Sequence, residues 1–291
     1  MLFATPSTLL VTAALHRSSP TSWPLPPLLR ATAVVHAAAV VAPVAVPAAW
    51  PWALGALAVN HAVLTGVGLW PRSTALGENL VRLPAAAIGR REVALTIDDG
   101  PEPEVTPAVL DLLDAAGARA TFFCIAEQAR RHPALVEEIV RRGHSVQNHS
   151  RQHRHNFSLL GPRGFAREIE GAQAVFAGLG IEPPAFFRAP AGLRNPFLAP
   201  VLHRLGLTLT SWTRRGFDTR ERDPQRVLQR LTRGLAAGDI LLLHDGNAAR
   251  DPEGRPVILS VLPALLDEVR RAGLVPVTLP QALRPSRAAS A

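Results

Sequence analysis

The sequence predicts an α/β domain, built as a barrel or an open parallel sheet, behind a helical hairpin that crosses a membrane. Two observations predict it. The first seventy residues are nearly uncharged, with no Asp or Glu from Met1 to Gly77 and only Arg17 and Arg30 as cations before Arg72. From about Arg91 the pattern changes to short apolar runs separated by longer amphipathic ones, the mark of repeated strand–helix units. A chain of 291 residues holds one ordinary domain and something smaller.

Ala31 to Pro71 carries no charge. One helical pass needs about 20 apolar residues, so this stretch is long enough for two. Trp50-Pro51-Trp52 divides it and is expected as the turn. Trp23, Trp50, Trp52 and Trp70 fall where the ends of two spans meet the headgroups, as an aromatic belt does. Pro43 and Pro47 are tolerated near the end of the first span. His36 and His61 are expected as interhelical packing groups and not as metal ligands; with Asn60 they are awkward in lipid, so a hydrophobic structural subdomain is the alternative. A cleaved signal peptide begins with a basic region, and Met1 to Ala14 has none. Arg17 and Arg30 precede the spans, and Arg72, Arg82, Arg90 and Arg91 follow them. The positive-inside rule then puts both ends in the cytoplasm, with the second domain on the cytoplasmic face of a bacterial inner membrane. The division expected is an N-terminal segment (1–30), two transmembrane helices (31–71), a linker (72–90), the α/β domain (91–284) and a tail (285–291).

The net charge of +8 comes entirely from Arg, because the chain has no Lys. These Arg residues are scattered without interleaved aromatics, which argues against nucleic acid as a partner. One cysteine, Cys124, excludes an internal disulfide framework and a cysteine-based zinc site. It lies in an apolar run and is expected as a small buried hydrophobe.

Within the second domain the strand-like runs are Val93–Ile97, Ala120–Ile125, Ser145–Asn148, Ala185–Arg188, Leu207–Trp212, Ile240–His244 and Val275–Thr278. Helical candidates between them are Pro107–Ala116, Pro133–Arg142, Gly164–Leu179, Pro224–Ala237 and Leu259–Ala272. Gly117, Gly143, Gly180, Gly238 and Gly273 stand where these helices should stop. Polar residues then recur at the strand ends: Asp98 and Asp99, His149, Arg188 and His244. That rim is where parallel α/β barrels build active sites.

His149-Ser-Arg-Gln-His153 puts two imidazoles four apart, on one face if the segment turns helically. With one carboxylate they make a three-ligand site with room for water; a solvated His-rich loop is the plainer alternative, and His155 competes as a ligand. Asp98-Asp99-Gly100-Pro101 offers one carboxylate for a metal and one for a proton, or simply an Asp-Gly turn. Leu241-Leu-Leu-His244 ends a buried strand on a group that titrates near neutrality, suited to general-acid work or to capping the strand.

The ordered set Thr96-Ile-Asp-Asp-Gly-Pro101, His149-Ser-Arg-Gln-His153, Arg188-Ala-Pro-Ala-Gly192 and Leu242-Leu-His244 resembles the polysaccharide deacetylase family, carbohydrate esterase family 4. The likeness runs from about Arg91 to Leu283. It implies a distorted (β/α) barrel and a divalent metal, commonly zinc, with Co2+, Ni2+ or Mn2+ as alternatives. By position, the resemblance makes Asp98 the general base and Asp99, His149 and His153 the metal ligands. Arg188 orients Asp98, and His244 protonates the leaving amine. Pro190, Ala191, Trp212 and Leu242 fall on substrate-binding positions, Leu242 beside the acyl methyl. The family's fourth motif is a Trp, two spaced aspartates and another Trp. Here it reads Trp212-Thr-Arg-Arg-Gly-Phe-Asp218-Thr219, so Asp218 matches the second aspartate, which tunes His244. Arg215 and Thr219 depart from it, and Ala191 replaces an aromatic in the third motif, so the walls that grip a sugar are changed.

The expected activity is metal-dependent removal of an acyl group, acetyl first, from an amino sugar in a membrane-proximal or lipid-linked saccharide. The expected partners are that saccharide and the lipid bilayer. A deformylase, an O-acyl esterase of the same fold, and an inactive membrane-anchored carbohydrate-binding scaffold are the competing readings.

Overall fold

The computed structural model describes residues 22–284. Most of the expected N-terminal segment and all of the expected tail lie outside the described residues.

Eight parallel strands form one curled sheet. They are β1 (Glu92–Asp98), β2 (Thr121–Cys124), β3 (Ser145–Asn148), β4 (Phe186–Phe187), β5 (Thr208–Leu209), β6 (Arg214–Arg215), β7 (Ile240–His244) and β8 (Val275–Val277). Their order is β5-β4-β3-β2-β1-β7-β6, with β8 paired to the first half of β1. Helices spanning Thr106–Ala115, Pro133–Arg141, Pro162–Gly178, Pro224–Thr232 and Val257–Arg271 connect the strands. This is the distorted barrel expected, left open between β5 and β6.

Strand alternation sorts the side chains. Val93, Leu95 and Ile97 of β1 join Phe122, Cys124, Leu241 and Leu243 in the larger core, which packs against the helices. Ala94 belongs instead to a second cluster with Phe123, Phe186, Leu242 and Trp212. Thr96 and Asp98 follow Ala94 in phase, and His244 follows Leu242, so the reactive groups share the inner face. Register then aligns them: Asp98 of β1 lies beside His244 of β7 and Phe123 of β2.

Four of the five expected stops follow their helices directly; Gly238 does not, since its helix ends earlier, before Gly234. Gly117, Gly143, Gly180, Gly238 and Gly273 all have positive φ, a conformation glycine adopts without steric cost. The run Leu207–Trp212 is strand only at Thr208–Leu209. Beyond it the carbonyls of Thr210 and Ser211 turn aside to accept from the Arg188 guanidinium. The helix expected to reach Ala237 ends at Thr232.

The N-terminal stretch folds as two antiparallel helices, α1 (Pro27–Ala45) and α2 (Trp50–Gly68). The turn is Val46–Ala49, one step earlier than expected. Trp50-Pro51-Trp52 opens α2 instead of forming the turn, because proline in the first helical turn forfeits no hydrogen bond. Thr32 donates to Asn60 across the helices at 3.0 Å, and the His36 and His61 rings meet edge to face. The expected interhelical polar packing is present. Among the described residues α1 alone is long and apolar enough to cross a membrane; Asn60 and His61 interrupt the apolar character of α2.

The stretch expected as a linker, 72–90, packs on the domain. Leu76, Leu83 and Ala87 are buried, and Leu80 bridges to Thr210. Arg194 N–H donates to the Gly68 carbonyl at 3.1 Å, and Ser211 donates to the Pro71 carbonyl at 2.6 Å. The end of the hairpin is therefore fastened to the segment that follows β4 and to the turn after β5.

Candidate active site

Asp98 ends β1, and its Oδ1 receives Arg188 Nη1 at 2.6 Å. Arg188 is fully buried. It also donates to Thr96 Oγ1 and to the Thr210 and Ser211 carbonyls, and it lies 4.1 Å from the Phe123 ring centre. Four acceptors and an aromatic face leave the guanidinium one position, so the carboxylate beside it is fixed as well.

Asp99 follows in a left-handed conformation (φ 77°), which sends its side chain away from Asp98 toward two imidazoles. Its Oδ1 lies 3.1 Å from His149 Nε2 and 3.3 Å from His153 Nε2, and the three candidate ligand atoms sit within 4.8 Å of one another. His149 and His153 converge through a loop and not through the helical turn anticipated. Left-handed φ at Ser150 and His153 folds that loop back, and Asn148 Oδ1 accepts the Ser150 N–H. His155 takes no part in the cluster.

These residues fit a divalent cation. Asp99 Oδ1 is buried and receives no hydrogen bond. His149 Nδ1 lies 2.9 Å from the Arg188 carbonyl, which can only accept, so Nδ1 carries a proton and Nε2 turns its lone pair toward Asp99. Burial, then repulsion from His149, holds His153 down at about 4, so it is neutral and ready to ligate. Burial opposes ionisation of Asp99, but the surrounding imidazoles, His149 first, then His244 and His153, hold its carboxyl below the usual range. Three electron-pair donors of this kind with an open side suit a catalytic zinc. Asn247 Nδ2 steadies the other Asp99 oxygen at 3.2 Å.

On the opposite side His244 ends β7. Asp218 grips it twice, taking the His244 backbone N–H at 2.7 Å and facing Nδ1 at 2.9 Å. Burial lowers the basicity of this imidazole, but the charge and hydrogen bond of Asp218 outweigh it and push His244 up to about 9.

Comparison with known proteins accords with this arrangement. A family profile described as polysaccharide deacetylase matches residues 86–210. The chain is 30% identical over 194 residues to a peptidoglycan-N-acetylglucosamine deacetylase of Bacillus cereus, covering 66% of this chain and 88% of that protein. It is likewise 30% identical over 205 residues to a chitooligosaccharide deacetylase of Sinorhizobium fredii, covering 68% and 95%. The chain belongs to the polysaccharide deacetylase family, carbohydrate esterase family 4. A solved family 4 carbohydrate esterase from Streptomyces lividans, in complex with acetate, superposes with a TM-score of 0.59 at 32% identity, covering 65% of this chain and 94% of that one.

The positions that the sequence matched to substrate binding lie on the turn after β4 and in the inner cluster. Pro190 and Ala191 form a short turn after β4, with Ala191 left-handed (φ 54°) and exposed. Leu242 and Trp212 are buried together in the inner cluster. Gly192 sits so close to Trp212 and Pro71 that an added Cβ would lie 2.6 and 2.7 Å from their atoms.

Two supporting residues were not singled out from the sequence. Asn247 is one. The other is Asp245, fully buried behind the turn after Asp99, which accepts from Thr106 Oγ1 at 2.5 Å and from the Gly246 N–H at 3.0 Å. Burial pushes Asp245 up to about 7. Backbone conformation would have found the neighbourhood: of seven non-glycine residues with positive φ among the described residues, Asp99, Ser150, His153, Ala191, Phe217 and Asn247 ring this site.

Proposed function

We propose that this chain hydrolyses the N-acetyl group of an amino sugar within a saccharide held at a membrane surface. The observation that carries the reading is that Asp98, held by Arg188, and His244, held by Asp218, end adjacent strands in register beside the Asp99, His149 and His153 cluster. A proton acceptor and a proton donor thus flank one point where an amide can sit.

Asp99 Oδ1, His149 Nε2 and His153 Nε2 would hold the divalent ion, zinc first by its donor set. When bound it supplies Lewis-acid polarisation of the acyl carbonyl and a lower pKa for water. Asp98, aimed by Arg188, takes the proton from the attacking water. The exposed backbone N–H of Ala191 donates to the oxygen on which charge develops. His244, held as imidazolium by Asp218, gives its proton to the departing nitrogen. Acetate and a free amine result. Leu242 and Trp212 supply the apolar wall near the acyl methyl.

The membrane reading is supported by α1 and by outward-facing Val34, Val40, Val44, Trp52 and Val59 on the helical pair. Fastening of Gly68 and Pro71 beside the Ala191 turn holds the pocket close to the bilayer surface, where a lipid-linked saccharide would present its sugar. The cytoplasmic side follows from the flanking arginines and is tested by protease accessibility of the domain in sealed vesicles.

Acetate release from N-acetylglucosamine oligomers and from undecaprenyl-linked N-acetyl sugars tests the reaction, with chelation, zinc restoration and His149→Ala as controls. Release that survives chelation and the variant would refute the metal assignment. Formate release from the matching N-formyl sugars, with no acetate from the N-acetyl ones, would favour a deformylase.

A further inference from the structure

Strand β6 carries two adjacent arginines with opposite fates. Arg214 points outward and is saturated: it bonds Asp239 and the Arg233 and Gly234 carbonyls. Arg215, the next residue, pairs in register with Leu242 and therefore takes the inner face. It has no ion pair and no hydrogen-bond acceptor among the described residues, and its Nε is buried without a partner. What holds it is aromatic. Its guanidinium carbon lies 5.2 Å from the Trp212 ring centre and 5.1 Å from that of Phe217. Phe217 adopts a left-handed φ of 63°, rare and strained for a bulky side chain, while half exposed at the rim.

The site does not need this charge for balance. Asp98 is matched by Arg188 and Asp218 by His244, and Asp99, facing two imidazoles, is left to the divalent ion its cluster would hold. Burial lowers the basicity of Arg215, while Asp98, Asp218 and Asp99 act on it in the opposite sense. Arg220 adds a second cation nearby, exposed on the following turn. A guanidinium packed against two rings keeps its planar fork, and with no acceptor among the described residues its N–H groups suit bidentate capture of an oxyanion. We propose that Arg215 is a specificity-determining residue that binds a phosphate or carboxylate on the sugar, so that the substrate is an anionic amino-sugar saccharide. This rests on the deacetylase reading and names its substrate class.

The test uses zinc-loaded full-length protein in detergent, with N-acetylglucosamine, N-acetylglucosamine 1-phosphate and N-acetylmuramic acid as probes. Affinity is measured by calorimetry and acetate release in parallel, for the wild type, Arg215→Gln and Arg215→Lys. A charged probe should bind roughly 10- to 100-fold tighter than the neutral one, the range that charge-assisted hydrogen bonds supply. Arg215→Gln should collapse that ratio toward one through KM, and Arg215→Lys should restore part of it. Whichever anion shows the larger ratio separates phosphate from carboxylate. Equal losses on all three probes would make Arg215 a packing residue and overturn the proposal. So would wild-type protein that binds charged and neutral sugars alike, or binds none of them. Charge-dependent binding without acetate release would instead strike the deacetylase reading and leave the Arg215 assignment standing.

Discussion

Asp98 and Asp99 are neighbours in sequence, yet they serve different partners because one ends a strand and the other takes a left-handed turn. An Asp98→Asn variant should keep zinc stoichiometry and lose turnover by about 10³-fold, within the range for a general base; activity near wild type would remove Asp98 from that role. The His244–Asp218 pair carries a pH prediction. In the folded, metal-free protein His244 rises from its ordinary 6.5 to about 9, because Asp218 outweighs burial. A raised histidine stabilises the fold fully below 6.5, and that contribution is lost as pH climbs through 9. Asp218→Asn should move the His244 titration down by roughly two pH units, read by NMR of the ring protons, and bring the alkaline limb of activity down with it. A limb that stays in place would assign the acid elsewhere.

At the scale of elements, the strand-to-loop transitions do the positioning. β1, β3 and β7 run in parallel and end together, so their last residues share one rim. The loops beyond them adopt positive φ to turn side chains inward. Gly192 shows how tightly these loops are packed. Its φ of 74° and the closeness of Trp212 and Pro71 leave no room for a methyl group. Gly192→Ala should lower the melting temperature, by about 1–3 kcal/mol of stability, and shift the Trp212 fluorescence as the ring is displaced. An unchanged spectrum and stability would mean that the rim and the hairpin end are not packed as one unit. Long elements were legible from periodicity and stop signals, as with the helices Pro133–Arg141 and Val257–Arg271. The short helix Ala126–Arg131 and strand β6 were not, because six residues or two adjacent arginines hold too little periodicity to read.

At the scale of the molecule, the proposed ion and the proposed membrane contact would link otherwise separate parts. The three ligands come from two loops, so ion binding should tie β1 to the segment after β3. Zinc at about 100 times its Kd should stabilise the fold by about 2.7 kcal/mol, seen as a rise in melting temperature that His149→Ala and His153→Ala abolish. Equal shifts in both variants would place the ion elsewhere. The hairpin should hold full-length protein in the membrane fraction, and a chain beginning at about Arg72 should lose that partition. Recovery of the shortened chain on membranes would point to a second anchoring surface.

The sequence by itself determined the family, the order of strands and helices and the candidate site residues, because hydrophobic period, glycine stops and short ordered motifs are local properties. It also marked an uncharged stretch long enough for a hairpin. Only the tertiary structure decided which atoms meet: that His149 turns Nε2 to Asp99 because its Nδ1 is taken by a carbonyl, that the two histidines converge by a loop, and that the supposed linker packs against the barrel. It also decided that Arg214 is saturated while Arg215 is left without an acceptor. Two arginines side by side read alike in a sequence. Strand pleat sends them to opposite faces of the sheet, and those faces have different chemistry.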